Sequence, residues 1–310
     1  MNTIYDLFIK CFNKFYTNSM QLLENNDTYK QDNQLYHYTS IEKFNDILKT
    51  ETLKATSIYM MNDPNELMLG YESLQYLMFR SIALDNSFVR QFNDIYSFPA
   101  FAFCLTELED DMYSWDKYGN RHHGIRIGFT PSEIINYWKE IEGIDVFLVP
   151  VIYQKHDRSY TGQYSDYFNI FIKDFITEIR LHIEEKPISD NEKNELSYIS
   201  ALLASMIKSE EWSIEQEWRI LITTGGHVHE AIKGNIINGF PTVSIEKKGE
   251  NTLGLFVNNK GLASKDILKI GSLAGNREYI EYVIKLLFKE QTNANYFEDT
   301  ITQSIISIKQ

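Results

Sequence analysis

Short apolar runs with a period of two occur in clusters along this chain, and longer patterns of helical period are grouped between them. This order constrains the fold, because strands that alternate regularly with helices build a parallel sheet, whereas clustered strands pair with one another. The strand-like runs are LYHYT, TLKATS, FPAFAFCLTE, HGIRIGFT, DVFLVPVIYQ and EWRILITT. The sequence therefore predicts an α+β fold with a mainly antiparallel sheet.

We predict one main α+β domain over residues 31–290, with a central split sheet and helical inserts at about 63–95 and 163–208. An amphipathic helix within residues 1–30 precedes it, and a tail segment, 291–310, follows.

Composition narrows the class of protein. The chain has 310 residues, of which 43% are hydrophobic, so it can bury a core, and no apolar run reaches the roughly 18 to 20 residues of a membrane helix. Charged residues interrupt the opening helix, unlike a signal peptide. Two distant cysteines suit a cytoplasm-like compartment. A net charge of −13 argues against tight nonspecific binding to duplex nucleic acid. We expect a cytoplasmic protein without membrane contact, and the oligomeric state stays open.

The segment KSEEWSIEQEWRIL is the most informative for chemistry. If a strand begins near Glu215, the side chains of Glu215, Glu217 and Arg219 share one face, opposite Trp218. Framing by Trp212 and Trp218 indicates a cleft. A carboxylate pair at this spacing can stabilise an oxocarbenium-like centre and orient a sugar hydroxyl. The alternative is a solvated sheet face with a cross-strand ion pair.

Two further strands contain candidate ligand-binding residues. In LYHYTS, His37 and Thr39 share a face, and a neutral histidine suits either a ribose hydroxyl or a backbone amide. In HGIRIGF, Arg126 stands between Gly124 and Gly128 on one face, where a diphosphate could approach closely. The alternatives are a structural histidine and a surface arginine on a bulged strand.

Metal signals are weak. HHG at 122 and HVHE at 227 lack the spacing of a zinc site, so no metal is expected. The chain also lacks a P-loop, a GxGxxG motif and a GxSxG elbow.

Five motifs in order, LYHYTSIEKFNDILKTETLKA, NDPNE, FCLTE, SWDKYGNRHHGIRIGF and WSIEQEWRIL, resemble the bacterial family called domain of unknown function 2971. This resemblance extends over about residues 34–275. A looser resemblance is to ADP-ribosyltransferases, which split NAD between nicotinamide and ribose. It lies in a first strand with His-x-Thr, a middle strand of FCLT type and a late Glu-x-Glu strand.

The second resemblance implies an ADP-ribosyltransferase-like fold and a set of site residues, with NAD as substrate. His37 would hold the NAD ribose beside Thr39, Glu217 would be the catalytic glutamate, and Glu215 would act on the acceptor side. The middle strand departs from the family pattern, because it has only Thr106 in place of a serine-threonine-serine motif or a tyrosine. The candidates for packing on nicotinamide are therefore Tyr59 and Tyr118, and Arg126 is the candidate for the diphosphate.

The resemblance implies an NAD-consuming ADP-ribosyltransferase or NAD glycohydrolase, of the kind found among toxins and antiviral defence effectors. The acceptor could be protein, nucleic acid, a small molecule or water. One alternative is a non-catalytic module that senses or binds a nucleotide. Another is a nuclease that uses the acidic and histidine residues.

Overall fold

A computed structural model describes residues 3–26, 34–50, 52–58, 61, 66–82, 100–224, 232–237, 240–248, 268–270 and 301–303. Tyr59, the HVHE segment and most of the C-terminal third lie outside the described residues, as do 63–65 and 83–95 of the first predicted insert. Within the described part, helices and mainly antiparallel strands are combined, which confirms the α+β class.

Two of the described helices begin with a capping box. Thr3 and Asp6 form one at the helix that begins at Ile4, and Ser189 and Glu192 form another at the helix that begins at Asp190, which satisfies N–H groups that lack helical partners. Among the described residues, no helix has the length and apolar character needed to cross a bilayer. The α-helices are α1 (Ile4–Glu24), α2 (Ile41–Thr50), α3 (Glu66–Ile82), α4 (Met112–Lys117), α5 (Pro131–Lys139), α6 (Ser165–Glu185) and α7 (Asp190–Ala204).

A 3₁₀ helix, Glu210–Glu215, precedes the strand that begins at Glu217. The described strands include at least one in each of the six strand-like runs, and others outside those runs. They are β1 (Leu35–Thr39), β2 (Thr52–Ser57), β3 (Ala100–Thr106), β4 (Ile125–Phe129), β5 (Asp145–Pro150), β6 (Ile152–Gln154), β7 (Tyr160–Thr161), β8 (Ile207–Ser209), β9 (Glu217–Thr223), β10 (Ile232–Ile237), β11 (Phe240–Lys248), β12 (Leu268–Ile270) and β13 (Ile301–Gln303).

Strand β3 organises the larger sheet. It pairs with β9 along its whole length, from Ala100 opposite Thr223 to Thr106 opposite Glu217. Two strands share its other edge, because β2 pairs near its start and β1 pairs at Thr106, opposite Tyr36. Between these two pairings, residues 103–105 of β3 have no registered partner on that edge within the described structure. Among the described strands, the sheet is therefore open between β1 and the middle of β3.

The core packs on both sides of this sheet. Phe8 and Phe12 of α1 pack against Phe147 of β5 and Phe171 of α6, with ring centroids 5.1 to 6.2 Å apart. On the other side, Phe103 contacts Phe129 and Trp138. A separate cluster of Tyr36, Tyr38 and Trp115 closes the region beside the opening. Aromatic side chains therefore pack on both faces of the sheet and beside the opening.

Candidate functional site

A cleft lies at the opening between β1 and β3. The space open to the centres of water molecules is about 100 Å³, enough for several waters or for part of a larger ligand. The lining is mostly apolar and aromatic with a few polar groups, as is common for ligand sites. It consists of Tyr36, His37, Tyr38, Met61, Cys104, Leu105, Thr106, Ser114, Tyr118, Lys208, Trp212, Glu215 and Glu217.

A tight turn brings Glu215 and Glu217 to the cleft. Glu215 ends the 3₁₀ helix, Gln216 has a left-handed backbone with φ 41°, and β9 begins only at Glu217. The turn is anchored to the end of β3, because the Thr106 hydroxyl donates to the Glu215 carbonyl at 2.6 Å. The strand therefore begins at Glu217, as the run EWRILITT predicts, and two residues after the start near Glu215 that the shared-face argument assumed. Both carboxylates line the cleft all the same, and Arg219 binds the Glu217 carboxylate.

Lys208 joins the two carboxylates. Its ammonium group donates to Glu215 Oε2 at 2.7 Å and to Glu217 Oε2 at 2.9 Å, and it lies 4.9 Å from the centre of the Trp212 ring. The residue is buried on β8, which reaches the site by pairing in parallel with β6. Sequence reasoning did not select this lysine, although it stands at the start of the same KSEEWSIEQEWRIL segment.

Arg219 is the second cation bound to the Glu217 carboxylate. Its Nε donates to Glu217 Oε1 at 2.8 Å, its Nη2 to Oε2 at 3.1 Å, and its Nη1 to the Ser205 carbonyl at 2.8 Å. Burial raises the pKa of Glu217, but the charges of Arg219 and Lys208 outweigh it and lower the pKa to about 2. Glu217 is therefore an anion at neutral pH, although it is only 6% exposed.

Two tyrosines bind Glu215 from the other side. The Tyr118 hydroxyl donates to Glu215 Oε1, and the Tyr113 hydroxyl approaches the same oxygen at 3.4 Å. Burial and then the charge of Glu215 raise the pKa of Tyr118, so its phenol is neutral. The place of Tyr118 in the cleft agrees with its selection as a candidate. Its hydroxyl, however, is bound to a carboxylate, and its role in packing on nicotinamide stays a prediction.

His37 contacts β3 at the edge where the sheet is open. Its Nδ1 lies 2.8 Å from the Cys104 carbonyl, which can only accept, so Nδ1 carries the proton. Burial lowers the pKa of His37 below its ordinary value, so the ring is neutral and Nε2 has a lone pair. The ring stacks on Phe103 at 4.7 Å, and alternation along β1 turns it away from the side of Tyr36 and Tyr38.

His37 and Glu217 belong to strands that face one cleft. His37 borders the same cleft, yet β3 lies between their strands, and no hydrogen bond among the described residues joins the two side chains. The hydrogen bond between His37 and the Cys104 carbonyl is what we would expect of a structural histidine. A role in binding ribose stays a prediction.

Arg126 does not open on the cleft as expected. Its guanidinium is fully buried, stacks on the Tyr36 ring at 4.3 Å, donates to the Glu109 carbonyl at 2.8 Å and lies 3.3 Å from the Glu109 carboxylate. The glycines beside it leave no space for a diphosphate. A Cβ at Gly128 would lie 1.8 Å from the Gln34 amide oxygen, so protein atoms fill that position. The surface-arginine alternative is wrong as well.

The remaining candidates are placed less favourably. Thr39 is buried, and it is not among the described residues that line the cleft. Tyr59 lies outside the described residues. Trp218 does not frame the cleft as predicted. It is 0% exposed, its ring alternates to the other side of β9 from Glu217, and its Nε1 donates to Glu107 at 2.8 Å. Trp212 alone of the two tryptophans lines the cleft.

Residues 114–220 match the family described as Protein of unknown function (DUF2971). This segment, about a third of the chain, is similar to the DUF2971 family. The match lies inside the wider span of the motifs, about 34–275, and no curated protein or solved structure matches the chain. The DUF2971 segment contains both glutamates, Lys208, Arg219 and Tyr118, whereas His37 precedes it. The acidic part of the cleft therefore falls within the family segment.

The arrangement can provide charge stabilisation and proton transfer. Two carboxylates and two cations form a buried, charge-balanced network at the wall of a cleft, and such networks cost desolvation free energy that apolar packing would avoid. Within the described ranges, no three His, Cys, Asp or Glu side chains are grouped as metal ligands would be. The chemistry available to the described residues is that of an anion, Glu217, beside a second carboxylate that accepts from phenols.

Proposed function

We propose that the protein consumes NAD, as an ADP-ribosyltransferase or an NAD glycohydrolase, in the cleft between β1 and β3. The observation that supports this proposal is the ionised Glu217 carboxylate in the cleft wall, two residues from a second carboxylate. An anion held in that place would stabilise the positive charge that develops on ribose as the bond to nicotinamide loosens.

The two glutamates would have different roles. Glu217, fixed by Arg219 and Lys208, would act through its charge without needing to move. Glu215 accepts from Tyr118 and Tyr113, so it is suited to take a proton from an acceptor hydroxyl. The ribose and diphosphate contacts implied for His37 and Arg126 have no support in their observed partners, and the proposal rests on the acidic pair. With such an activity the protein would act in the cytoplasm as a toxin or a defence effector.

The test is nicotinamide release from NAD, measured by chromatography, with the purified full chain. We expect release by the wild type and a fall of about two to three orders of magnitude in Glu217→Gln, the scale of losing one electrostatic stabiliser. Glu211→Gln is the matched control, because Glu211 is an exposed carboxylate on the neighbouring 3₁₀ helix. Absence of release with protein, nucleic acid and water as acceptors, or full activity in Glu217→Gln, would remove the enzymatic proposal.

A second candidate is a non-catalytic module that binds a nucleotide. It is favoured by the same network, because three donors from Lys208 and Arg219 already bind the Glu217 carboxylate. A rise in melting temperature with NAD, without nicotinamide release, would support this module. The nuclease alternative requires cleavage of a nucleic acid substrate, and inhibition by a chelator would point to metal assistance.

A further inference from the structure

We propose that Tyr118 is an acceptor for ADP-ribose, so that the protein modifies itself at the wall of its own cleft. This inference rests on the proposed use of NAD. It adds a modification site and a chemical class of acceptor, a phenolic hydroxyl.

The geometry is that of a nucleophile, a base and a group that orients the base. The Tyr118 hydroxyl donates to Glu215 Oε1, and Lys208 holds Glu215 Oε2 at 2.7 Å. An oxygen nucleophile hydrogen-bonded to a base, which is itself oriented by a third group, is the arrangement found in covalent catalysis. Tyr118 and both glutamates line the same cleft, so an electrophile formed beside Glu217 would arise near this hydroxyl.

The loop that follows Tyr118 has a strained backbone. Residues Asn120, Arg121 and His122 are consecutive and all left-handed, with φ of 49°, 52° and 65°. Side chains with a Cβ rarely adopt this conformation, and each such residue costs free energy that the surroundings must offset. Hydrogen bonds from Gly119 N to the Ser114 carbonyl and from His122 N to the Trp115 carbonyl fix this loop against α4. The loop holds the backbone beside Tyr118, and the hydrogen bond to Glu215 holds its hydroxyl at the cleft.

The chemical step balances without another reactant. The Tyr118 oxygen forms a bond to C1′ of the nicotinamide ribose, and the bond from C1′ to the ring nitrogen breaks. The electron pair of that bond goes to nicotinamide, which leaves neutral, and the phenolic proton goes to Glu215. The phenol is neutral at rest, since burial and then the charge of Glu215 raise its pKa. The step therefore depends on proton transfer to Glu215 as the new bond forms.

Another tyrosine of the chain offers a matched control. The Tyr198 hydroxyl donates to the Asp145 carboxylate at 2.8 Å, which is the same type of hydrogen bond. Tyr198 is buried and is not among the described residues that line the cleft. If a phenol next to a carboxylate were sufficient, both tyrosines would react. If the cleft is required, only Tyr118 will.

The experiment incubates the purified full chain with NAD labelled at the adenylate phosphate and maps adducts by tandem mass spectrometry. We expect ADP-ribose on Tyr118, up to one group per chain, resistant to neutral hydroxylamine because the link is an aryl glycoside and not a carboxylate ester. Tyr118→Phe should reduce the label at least tenfold, while Tyr198→Phe should keep it. Glu215→Gln should slow labelling by about two orders of magnitude or more, the scale of losing a general base.

The outcomes separate this inference from the proposed function. Nicotinamide release by the wild type without an adduct on Tyr118 overturns self-modification and leaves NAD consumption standing. Adducts on Tyr198, or on carboxylates alone, overturn it as well. If the wild type neither releases nicotinamide nor becomes labelled, the proposed function and this inference both fail. Mapping on the wild type decides the matter even if Tyr118→Phe folds poorly, which thermal melts will show.

Discussion

Glu217 and Arg219 lie two residues apart on one strand and bind each other through two nitrogen–oxygen contacts, Nε to Oε1 at 2.8 Å and Nη2 to Oε2 at 3.1 Å. Both side chains are buried, and Lys208 is the second cation on the same carboxylate. The Glu217 carboxylate therefore stabilises the fold through these ion pairs, whatever its role in activity. The consequences for stability can be measured apart from any activity.

The first prediction concerns removal of that charge. Glu217→Gln keeps the shape but leaves two buried cations with one carboxylate fewer, so we expect the free energy of unfolding to fall by about 3 to 5 kcal/mol. Urea denaturation of wild type and variant measures the difference. Glu211→Gln, an exposed site, should change it by less than about 0.5 kcal/mol. Equal stability of wild type and Glu217→Gln would contradict the network.

The second prediction is a pH dependence. The pKa of Glu217 in the folded protein is about 2, below its ordinary value of 4.5, so its ionisation stabilises the fold above about pH 4.5. This contribution is lost as the pH falls from 4.5 towards 2 and amounts to roughly 3 kcal/mol. Glu192, whose pKa is lowered by Lys186 and Ser189, loses stabilisation in the same direction. The test is therefore the stability difference between wild type and Glu217→Gln, which should shrink through this window. A constant difference would contradict the assignment.

The third prediction tests the lysine between the carboxylates. Lys208→Met keeps the length but leaves Glu215 and Glu217 facing each other without the cation between them, so we expect a loss of about 3 to 5 kcal/mol. Its loss removes one of the charges that lower the pKa of Glu217, so the acid loss of stability should move to higher pH. Lys155→Met is the control, because Lys155 forms an exposed ion pair with Glu210 at 3.7 Å and should cost at most about 1 kcal/mol. Similar costs for both lysines would contradict the prediction.

Much of the fold follows from short-range pattern. The strand LYHYT is observed as β1, and Ser40 caps the next helix, since its hydroxyl accepts from Lys43 N at 3.2 Å. Period-two alternation and helix capping act over a few residues, so a single sequence reveals them. The opening in the sheet is different. It depends on β1 and β2 meeting one edge of β3, an arrangement of segments far apart in the chain.

The site divides in the same way. Glu215, Glu217 and Arg219 are close along the chain, so their convergence could be predicted from spacing even though the strand begins two residues later. Lys208 depends on the parallel pairing of β8 with β6, which no local pattern indicates. The prediction that Arg126 binds a diphosphate is not supported, because protein atoms fill the space beside Gly124 and Gly128. A glycine in the sequence does not reveal whether a ligand or another part of the protein lies against it.

The last prediction compares the two tryptophans on either side of the Glu215 turn. Trp218 is fully buried, packs edge to face on Tyr164 with centroids 5.3 Å apart, and donates to the buried Glu107. Trp218→Ala should therefore lower the free energy of unfolding by about 3 to 5 kcal/mol through a cavity and an unpaired carboxylate. Trp212 is partly exposed at the cleft, with Lys208 against its ring. Trp212→Ala should cost clearly less stability but weaken ligand binding, because it removes a wall of the cleft.

Denaturation and NAD titration of both variants measure the two effects. A Trp218→Ala protein of unchanged stability would show that this ring does not belong to the core. A Trp212→Ala protein with unchanged NAD affinity, measured against a binding wild type, would show that the ligand does not use this wall.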